Sequence, residues 1–485
     1  MLPFAGRIAL LWALLIACSQ TPEARVSPAQ RQQGLTLARQ GGLLLQQGRP
    51  AQALHSLTAA VALIPDQAEA HYNLGLAHTR LDQHDRAATA FARACQLKPE
   101  QATYHFAWGT SLRAQHRYLE AAERYQRALD LDPDQAQYHF RLAETRRATS
   151  DFAGAIAALD AAVQLDSTLL PALSMRADLL ARSDQLESAE KTFRQILAQV
   201  PNHLEALQGL AALQTRQQRY DRASALLQRA LLLEPRNQQT YYLLNQAYSG
   251  ADQTDQARQA LNTFDRLTRS QRHFDQGQIY ARRQDWSQAA AAVQQAIAAD
   301  STFLQAHLLL GLVQINGGQP YLSLATGAQA LALAPEDPEV HCLLGEAHLA
   351  SQQWPLAAQA FNQALRFDPY SHRALFGLAR SHLAQRQPEA AVPILRRLLD
   401  LLPDHREGHY LLGLAHLETG RPETARHNLN RAIAIDSTYV EAHYGLGLAL
   451  QQIGQAEAAR QTFAQVLQLR PEHSRARQRL AAGDK

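Results

Sequence analysis

Histidine is the residue type in this sequence with the widest capacity for chemistry, because imidazole binds metals and exchanges protons near neutral pH. The chain has 20 histidines among its 485 residues. Eight of them form a series in which most neighbours are 34 residues apart. In a helical array such neighbours lie one helix pair apart, on the order of 10 Å, which is too far for shared zinc ligation. The series therefore predicts packing and not a metal site. Its eight members are His71, His105, His139, His273, His307, His341, His409 and His443.

Shorter histidine spacings do not predict a metal site either. Three pairs are seven residues apart, roughly 10.5 Å along a helix, so the two imidazoles of a pair cannot share an ion. These pairs are His71/His78, His341/His348 and His409/His416. His405 and His409 have the i,i+4 spacing of a two-ligand site, but His405 falls at a helix start and no third ligand is evident. We interpret the histidines as structural and expect no metal and no cofactor.

The sequence also lacks the groupings that carry catalysis. It has no phosphate-cradling glycine loop, no H-E-x-x-H and no G-x-S-x-G. Cys18, Cys95 and Cys342 are its only cysteines, too few for a zinc or disulfide framework. Cys95 and Cys342 are far apart in a repeat array, so they cannot pair, and we expect Cys95 to be a small core residue. These observations predict a protein that is not an enzyme.

Composition narrows the class of protein further. Apolar residues make up 46% of the chain and aromatic residues 7%, which is enough for a helical core. The formal net charge is +3, close to neutral for this length. A nucleic-acid binder usually carries a larger and more clustered basic excess, so we expect no nucleic-acid partner.

A repeat of 34 residues organises the chain and would position all of these side chains. Counted from the first residue of each unit, position 8 is Gly or Ala except at Asn245, and position 20 is Ala except at Ser323. Position 24 is usually large and apolar, and position 32 is Pro in nine units. The thirteen units begin at Gly34, Ala68, Ala102, Ala136, Leu170, Leu204, Gln238, Ser270, Leu304, Pro338, His372, Arg406 and Val440.

Each of these positions has a physical reason. Two helices approach within about 8–9 Å only where side chains are small, which explains positions 8 and 20, and the large residue at position 24 fills the space beside them. Proline at position 32 cannot donate a hydrogen bond into a helix and ends the second helix of the unit. Three units have Asp-Ser-Thr instead, at residues 166–168, 300–302 and 436–438, and we expect those hydroxyls to cap the following helix.

The pattern resembles the tetratricopeptide repeat (TPR), and it covers about nine tenths of the chain. The resemblance implies an all-α fold, a right-handed superhelical solenoid of about thirteen helix-turn-helix repeats with a C-terminal capping helix. Sugar-transferring enzymes that share this repeat carry a separate catalytic domain, and no residues remain here to build one. The family's chaperone-tail clamp needs specific Lys and Asn residues, and Asn73 alone does not make one.

The two ends and one irregular unit complete the domain prediction. Ser27-Pro28 predicts an N-cap and helix start, and residues 474–485 predict a capping helix and tail with Arg475, Arg477 and Arg479 exposed. The seventh unit is two residues short, with Asn245 at position 8 and Arg269 where Pro is expected. We predict altered packing over residues 245–272 and two blocks of repeats, residues 28–269 and 270–473.

The N-terminus has the features of an export signal. Residues 1–17 place one Arg before an apolar run that is too short to span a bilayer comfortably. The run ends in Leu15-Ile16-Ala17-Cys18, which resembles the lipobox of bacterial lipoproteins, and this implies acylation of Cys18 and a tether over residues 18–27. Ser19, not Asp, follows the cysteine, which favours the outer membrane. The alternative is a cleaved secretory peptide with an incidental cysteine.

The family binds partners through the first helix of each repeat, at positions 2, 5, 9, 12 and 13, on a concave face. At these positions the N-terminal half has a line of arginines: Arg80, Arg113, Arg147, Arg182 and Arg216, with Arg282 continuing it. The C-terminal half has apolar residues that we expect to be exposed: Leu312, Ile315, Leu349, Leu383, Leu414, Leu417 and Leu448. Position 5 is aromatic in eight units, for which packing is the strong alternative. For the arginines, a solvated face is the alternative.

The resulting hypothesis is a groove that takes an acidic segment in its N-terminal half and an apolar helix or extended peptide further on. The sequence thus predicts a non-catalytic protein-binding scaffold, attached to the membrane only through the lipid. Its predicted location is the cell envelope, at the outer membrane and facing the periplasm, with export to the cell surface as a variant. The alternative function is a carbohydrate-handling or exopolysaccharide-export subunit, since aromatic rings at position 5 could stack on sugars.

Overall fold

The computed structural model describes residues 27–482, and within that range it contains 26 α-helices and no strand. The all-α class predicted from the sequence is confirmed. The first helix begins at Pro28, as expected: the Ser27 hydroxyl accepts from the Gln30 backbone N–H, and the Gln30 side chain accepts from the Ser27 N–H. This capping box satisfies two backbone donors that would otherwise lack partners.

Each repeat contributes a first and a second helix, and in α14 (Thr254–Arg282) the second helix of repeat 7 continues into the first helix of repeat 8. Helices α1 to α13 are Pro28–Gln46, Pro50–Leu63, Ala68–Arg80, His84–Leu97, Ala102–Ala114, Tyr118–Leu131, Ala136–Ala148, Phe152–Leu165, Leu170–Arg182, Leu186–Gln199, Leu204–Arg216, Tyr220–Leu233 and Gln238–Gly250. Helices α14 to α26 are Thr254–Arg282, Trp286–Ala299, Leu304–Asn316, Pro320–Leu333, Pro338–Ala350, Trp354–Phe367, His372–Ala384, Pro388–Leu401, Arg406–Glu418, Pro422–Ile435, Val440–Ile453, Ala456–Leu469 and Ser474–Ala482.

The two helices of a repeat meet where the sequence has its small residues. A Cβ added to Gly75, at position 8, would lie 2.5 Å from Cε1 of Phe91, at position 24. A Cβ added to Gly109 would lie 3.2 Å from the backbone oxygen of Ala121, at position 20. Positions 8 and 20 therefore bring the two backbones together, and the large residue at position 24 packs against the glycine, as the repeat pattern predicts.

Where Asp-Ser-Thr replaces proline, the expected capping device is wrong. The Oδ1 atom of Asp166 accepts from the backbone N–H of Thr168 at 2.9 Å and from its hydroxyl at 2.7 Å. The other two segments repeat this geometry, and the following helices begin after residues with no side-chain cap. An aspartate two residues before an N–H closes an Asx turn, and this geometry takes up the threonine hydroxyl that we expected at the helix cap.

The seventh repeat departs from the pattern because it lacks a turn. Its second helix and the first helix of repeat 8 form a single helix of 29 residues, α14. Arg269 occupies the place of the proline, and the repeat is two residues shorter than its neighbours, so nothing interrupts the helix. Asn245, where a small residue is usual, donates from Nδ2 to the Ala257 carbonyl oxygen at 3.0 Å. The altered packing predicted over residues 245–272 is thus the loss of a turn.

The helices group into two compact units, one ending at Ala260 and the other beginning at Leu261. The core of the first unit contains Tyr125, Leu159 and Leu173, all fully buried. The core of the second includes Phe361 and Leu395, also fully buried. The predicted boundary of the repeat blocks, after residue 269, stays a prediction. Between residues 27 and 482, no helix combines the length and apolar character that crossing a bilayer requires.

Candidate partner-binding surface

The regularly spaced histidines bind the turns between repeats. In seven repeats, Nε2 of the position-4 histidine lies 2.8–3.0 Å from the carbonyl oxygen of the residue six positions earlier, in the turn that closes the preceding repeat. A carbonyl oxygen only accepts, so Nε2 carries the proton. Tyr241 makes the same bond with its hydroxyl to Pro235. At His273 the residue six earlier lies inside α14, where there is no turn.

Other histidines have equally local partners. His78 and His348, at position 11, bond through Nδ1 to the side-chain oxygens of Gln83 and Gln353 across the turn within their repeats. His405 is the N-cap of α22, and its Nδ1 accepts from the Gly408 N–H at 2.9 Å. These contacts support the interpretation that the histidines have a structural role. In the part of the chain that the structure describes, no three His, Cys, Asp or Glu side chains are grouped as metal ligands.

The two cysteines within the described range are buried and free. Burial raises the pKa of the Cys95 thiol to about 12 and that of Cys342 to about 11. A thiol needs to ionise before it acts as a nucleophile or a metal ligand. Cys95 is 4% exposed and packs beside Ala94 and Tyr104, which agrees with its expected place in the core. Cys18 lies outside the described residues.

Two arginines of the predicted line bind the preceding repeat. Nη1 of Arg80 donates to the Leu45 carbonyl oxygen at 2.7 Å, and Nη1 of Arg216 donates to that of Ala181 at the same distance. Both carbonyls lie at the C-terminus of the preceding first helix, where backbone acceptors lack helical partners. Nη2 of Arg216 also bonds to Asp184. These arginines therefore join repeats, in addition to any role toward a partner.

The remaining arginines of the line differ in their exposure and in their ion pairs. Arg113 is half-buried, with Nη1 at 4.0 Å from a Glu144 oxygen, and Arg182 pairs with Asp178 at 3.0 Å. Arg147 and Arg282 are exposed. Their assignment to a partner site stays a prediction.

Five of the seven apolar residues predicted to be exposed pack against the core: Leu349, Leu383, Leu414, Leu417 and Leu448. Leu349 and Leu417 are only 7% and 9% exposed, so they do not present a surface. Leu312, Ile315, Leu383, Leu414 and Leu448 are half-buried. Leu414 and Leu448 belong with Leu417 to one cluster around Leu429. The expectation of exposure therefore fails for two of the seven, Leu349 and Leu417, because both pack into core clusters with residues of adjacent helices.

Position 5 is also used for packing between repeats. The rings of Tyr72 and Tyr104 stack at 4.8 Å, and those of Phe106 and Tyr138 at 4.4 Å, each pair joining consecutive repeats. In the second unit, Tyr410 packs against the ring of the residue that ends its repeat, Tyr439, at 5.2 Å. A ring already stacked within the fold has less of its face free for a sugar, so this geometry does not favour the carbohydrate alternative.

A cavity of about 650 Å³ lies between the first helices of repeats 1 and 2, α1 and α3. Arg39 and Arg80 supply positive charge, Glu69 supplies one carboxylate, and Asn73 supplies an amide. The lining uses repeat positions 2, 6, 9 and 13 in both repeats: Leu35, Arg39, Gly42, Gln46, Glu69, Asn73, Leu76 and Arg80. These spacings of three and four residues define one face of each helix.

Arg39 is the residue that the sequence analysis missed. It is exposed, and within residues 27–482 no carboxylate forms an ion pair with it. The signal that could have identified it is the phase of the helix: position 6 follows position 2 by four residues and precedes position 9 by three. The repeat pattern places position 5 on the inner face, whereas position 6 lines this cavity and position 5 packs on the next repeat or on the turn that ends its own.

Family models of the tetratricopeptide repeat match residues 39–102, 106–169, 274–338, 322–372, 376–440 and 416–482, more than half of the chain. The chain belongs to the tetratricopeptide-repeat family. A model of the TT21 fifth ARM repeats domain also matches, over residues 171–281. All of these are repeat families, and proteins of this kind are generally scaffolds that hold other proteins and have no catalytic site. No curated protein matches the chain.

Several solved structures resemble this TPR protein at low identity. The APC/C hetero-tetramer Cut9–Hcn1 is 14% identical with a TM-score of 0.44, over 92% of this chain and 95% of that one. PilF of Pseudomonas aeruginosa is 20% identical with a TM-score of 0.37, over 44% and 96%. PilW, a type IV pilus biogenesis factor, is 19% identical with a TM-score of 0.41, over 44% and 98%.

Proposed function

We propose that this TPR protein is a non-catalytic scaffold of the bacterial cell envelope that holds proteins during assembly of a membrane-associated complex. A lipid on Cys18 would attach it to the outer membrane, with the repeats in the periplasm. The N-terminal apolar run and its lipobox-like end support the location. The cavity between α1 and α3 carries the proposal of binding.

The chemistry of the cavity fits an extended peptide with an acidic group. Amide side chains such as Asn73 and Gln46 both donate and accept, so they can bond to the N–H and C=O groups of a peptide backbone. Arg39 has no ion-pair partner within residues 27–482, so its guanidinium can bind a carboxylate. Leu43, which is 55% exposed, and Leu76 also line the cavity and can cover apolar side chains.

Site-specific photocrosslinking in native membranes tests this proposal. A benzoylphenylalanine at Leu43 should form adducts with one or a few proteins, and Arg39→Glu should reduce their yield. The matched control is the same amino acid at Leu119, a leucine that is 73% exposed and lies outside the cavity. Equal adducts from both sites, or adducts from Leu119 alone, would contradict a partner site at the cavity.

Fractionation of the same membranes tests the location separately. We expect the protein in the outer-membrane fraction, accessible from the periplasmic side. Recovery in the cytoplasm would overturn the proposed location in the envelope. It would not affect the proposed partner site at the cavity, which the crosslinking experiment tests.

A further inference from the structure

One stretch of the second unit is almost free of charge. Residues 286–335 contain a single charged residue, Asp300, whereas 19% of the whole chain is charged. Asp300 is fully buried. Helices α15 and α17 contain no charged residue, and α19 contains only Arg366, whose guanidinium donates to Gln363 at 3.1 Å. The second helices of three consecutive repeats, 8 to 10, therefore expose a nearly neutral surface.

This surface, which we call the neutral face, exposes large apolar side chains among small ones. Tyr321 is 65% exposed, Leu322 52% and Leu356 47%. The other exposed residues of α15 and α17 are Ser287, Gln288, Ala291, Gln294, Gln295, Ala298, Ala325, Ala328, Gln329, Ala332 and Leu333. Interface centres are depleted of charged residues and enriched in tyrosine, and the neutral face shares these two features, although its many alanines are not typical of interfaces.

The repeat does not itself require a neutral second helix. Helix α21 occupies the same place in repeat 11, and four of its charged residues are exposed: Glu389, Arg396, Arg397 and Asp400. Helix α2 is also uncharged, but its successor in the array, α4, carries Asp85 and Arg86. A neutral surface over several adjacent helices is thus a feature of repeats 8 to 10 and not of the fold.

We infer that the neutral face binds the neutral face of a second copy of this chain, with α17 against α17 across a two-fold axis. Such an axis places a patch opposite itself, so a charge on the axis faces its own copy, which has the same sign. Helix α17, at the centre of the neutral face, contains no charged residue, so a contact centred on it escapes this repulsion and is complementary to itself. The only basic residue on its three helices is Arg366, so the neutral face offers little attraction to an anionic lipid surface and few charges by which a foreign charged partner would be recognised.

The area of the neutral face sets the expected affinity of the dimer. Helices of 14 residues are about 21 Å long, and three of them at a spacing of about 10 Å cover roughly 600 Å². Stable complexes bury about 800 Å² on each partner, so we expect a reversible dimer with a dissociation constant in the micromolar range. Tyr321 and Leu322, the most exposed large side chains of the face, would contribute most of the affinity.

Sedimentation equilibrium of the full chain, at concentrations from about 1 to 100 µM, measures this association. We expect a monomer–dimer equilibrium in the wild type. Ala325→Arg, at the exposed middle of α17, should weaken the dimer at least tenfold, because it places two like charges near the axis. Mixing Ala325→Arg with Ala325→Glu should restore a dimer of one copy of each.

Ala157→Arg is the matched control, because Ala157 is an exposed alanine at the same repeat position, 22, in α8. It should leave the dissociation constant unchanged. A wild type that remains monomeric throughout, or a dimer that responds to Ala157→Arg and not to Ala325→Arg, would overturn the inference. So would a monomer that binds vesicles of phosphatidylcholine in a manner abolished by Ala325→Arg, since the face would then contact lipid.

Discussion

The Nε2 atom of His105 lies 2.9 Å from the carbonyl oxygen of Pro99, six residues earlier in the chain. This hydrogen bond joins the first helix of one repeat to the turn that closes the repeat before it. Leu173, Leu207 and Leu375 occupy position 4 in other repeats and pack there without the bond. The hydrogen bond is therefore separable from the packing, and a leucine at the position tests it.

His105→Leu should lower the local stability around α5 by about 1 kcal/mol, the usual net value of one hydrogen bond. Hydrogen exchange of the amides in α4 and α5 measures the opening free energy directly. His55→Leu makes the same chemical change at an exposed position and should alter it by less than about 0.5 kcal/mol. If both variants have the wild-type exchange rates, the bond contributes nothing to stability.

Acidification should destabilise the array through its buried histidines. Burial lowers the pKa of His71 and His105 below the usual 6.5, and burial beside Arg396 and Arg421 lowers that of His416. The unfolded chain then binds protons at a higher pH than the folded chain. This contribution to stability is complete above 6.5 and is lost as the pH falls through the folded pKa values.

We therefore expect a lower midpoint of thermal unfolding at about pH 5.5 than at about pH 7.5. The difference should shrink when His71, His105 and His416 are all replaced by leucine. A midpoint that rises on acidification would contradict the direction assigned to these pKa values.

The sequence predicted the helices better than the faces that they present. Small residues at positions 8 and 20 and proline at position 32 determine where backbones approach and where helices end, and these are properties of single positions. Which neighbour a side chain touches depends on the angle between helices. The repeat pattern therefore places Tyr72 and Leu417 on an inner face, although both pack on adjacent helices. Arg39, one residue out of that phase, lines the cavity.

Gly75→Ala should destabilise repeat 2 by about 1–3 kcal/mol, because the added methyl would overlap the ring of Phe91. Repeat 4 has alanine and leucine at these positions, Ala143 and Leu159, and both are fully buried. Gly75→Ala combined with Phe91→Leu should therefore cost less than the two single changes added together, by about 1 kcal/mol. A double-mutant cycle in urea unfolding measures this coupling. Strict additivity would show that the contact tolerates the methyl group.

Arg269→Pro should break α14, although proline occupies the same repeat position in nine other units. Inside a continuous helix it removes a backbone hydrogen bond and clashes with the preceding turn, at a cost of about 3 kcal/mol or more. Hydrogen exchange over residues 262–275 should accelerate. The control Pro99→Arg changes a turn between two repeats and should accelerate exchange less in the helices on either side of that turn. Unchanged protection in Arg269→Pro would contradict the continuous helix.

Cys18→Ala should abolish labelling of the chain by a palmitate analogue and release it from the membrane fraction. Cys95→Ala, at a buried thiol whose pKa is raised to about 12, is the control and should leave labelling unchanged. Continued labelling of Cys18→Ala would eliminate the lipoprotein assignment and leave a cleaved secretory peptide as the interpretation of the N-terminus.

Helix α14 also constrains how this gene can change in length. Each repeat in an array of this kind contacts only its neighbours, so a whole unit bounded by turns can be added or removed without disturbing the rest. Repeats 7 and 8 share one uninterrupted helix, so neither can be copied or lost alone without leaving an unmatched half. The pair should therefore be inherited as one unit of about 66 residues, while the repeats on either side vary in number.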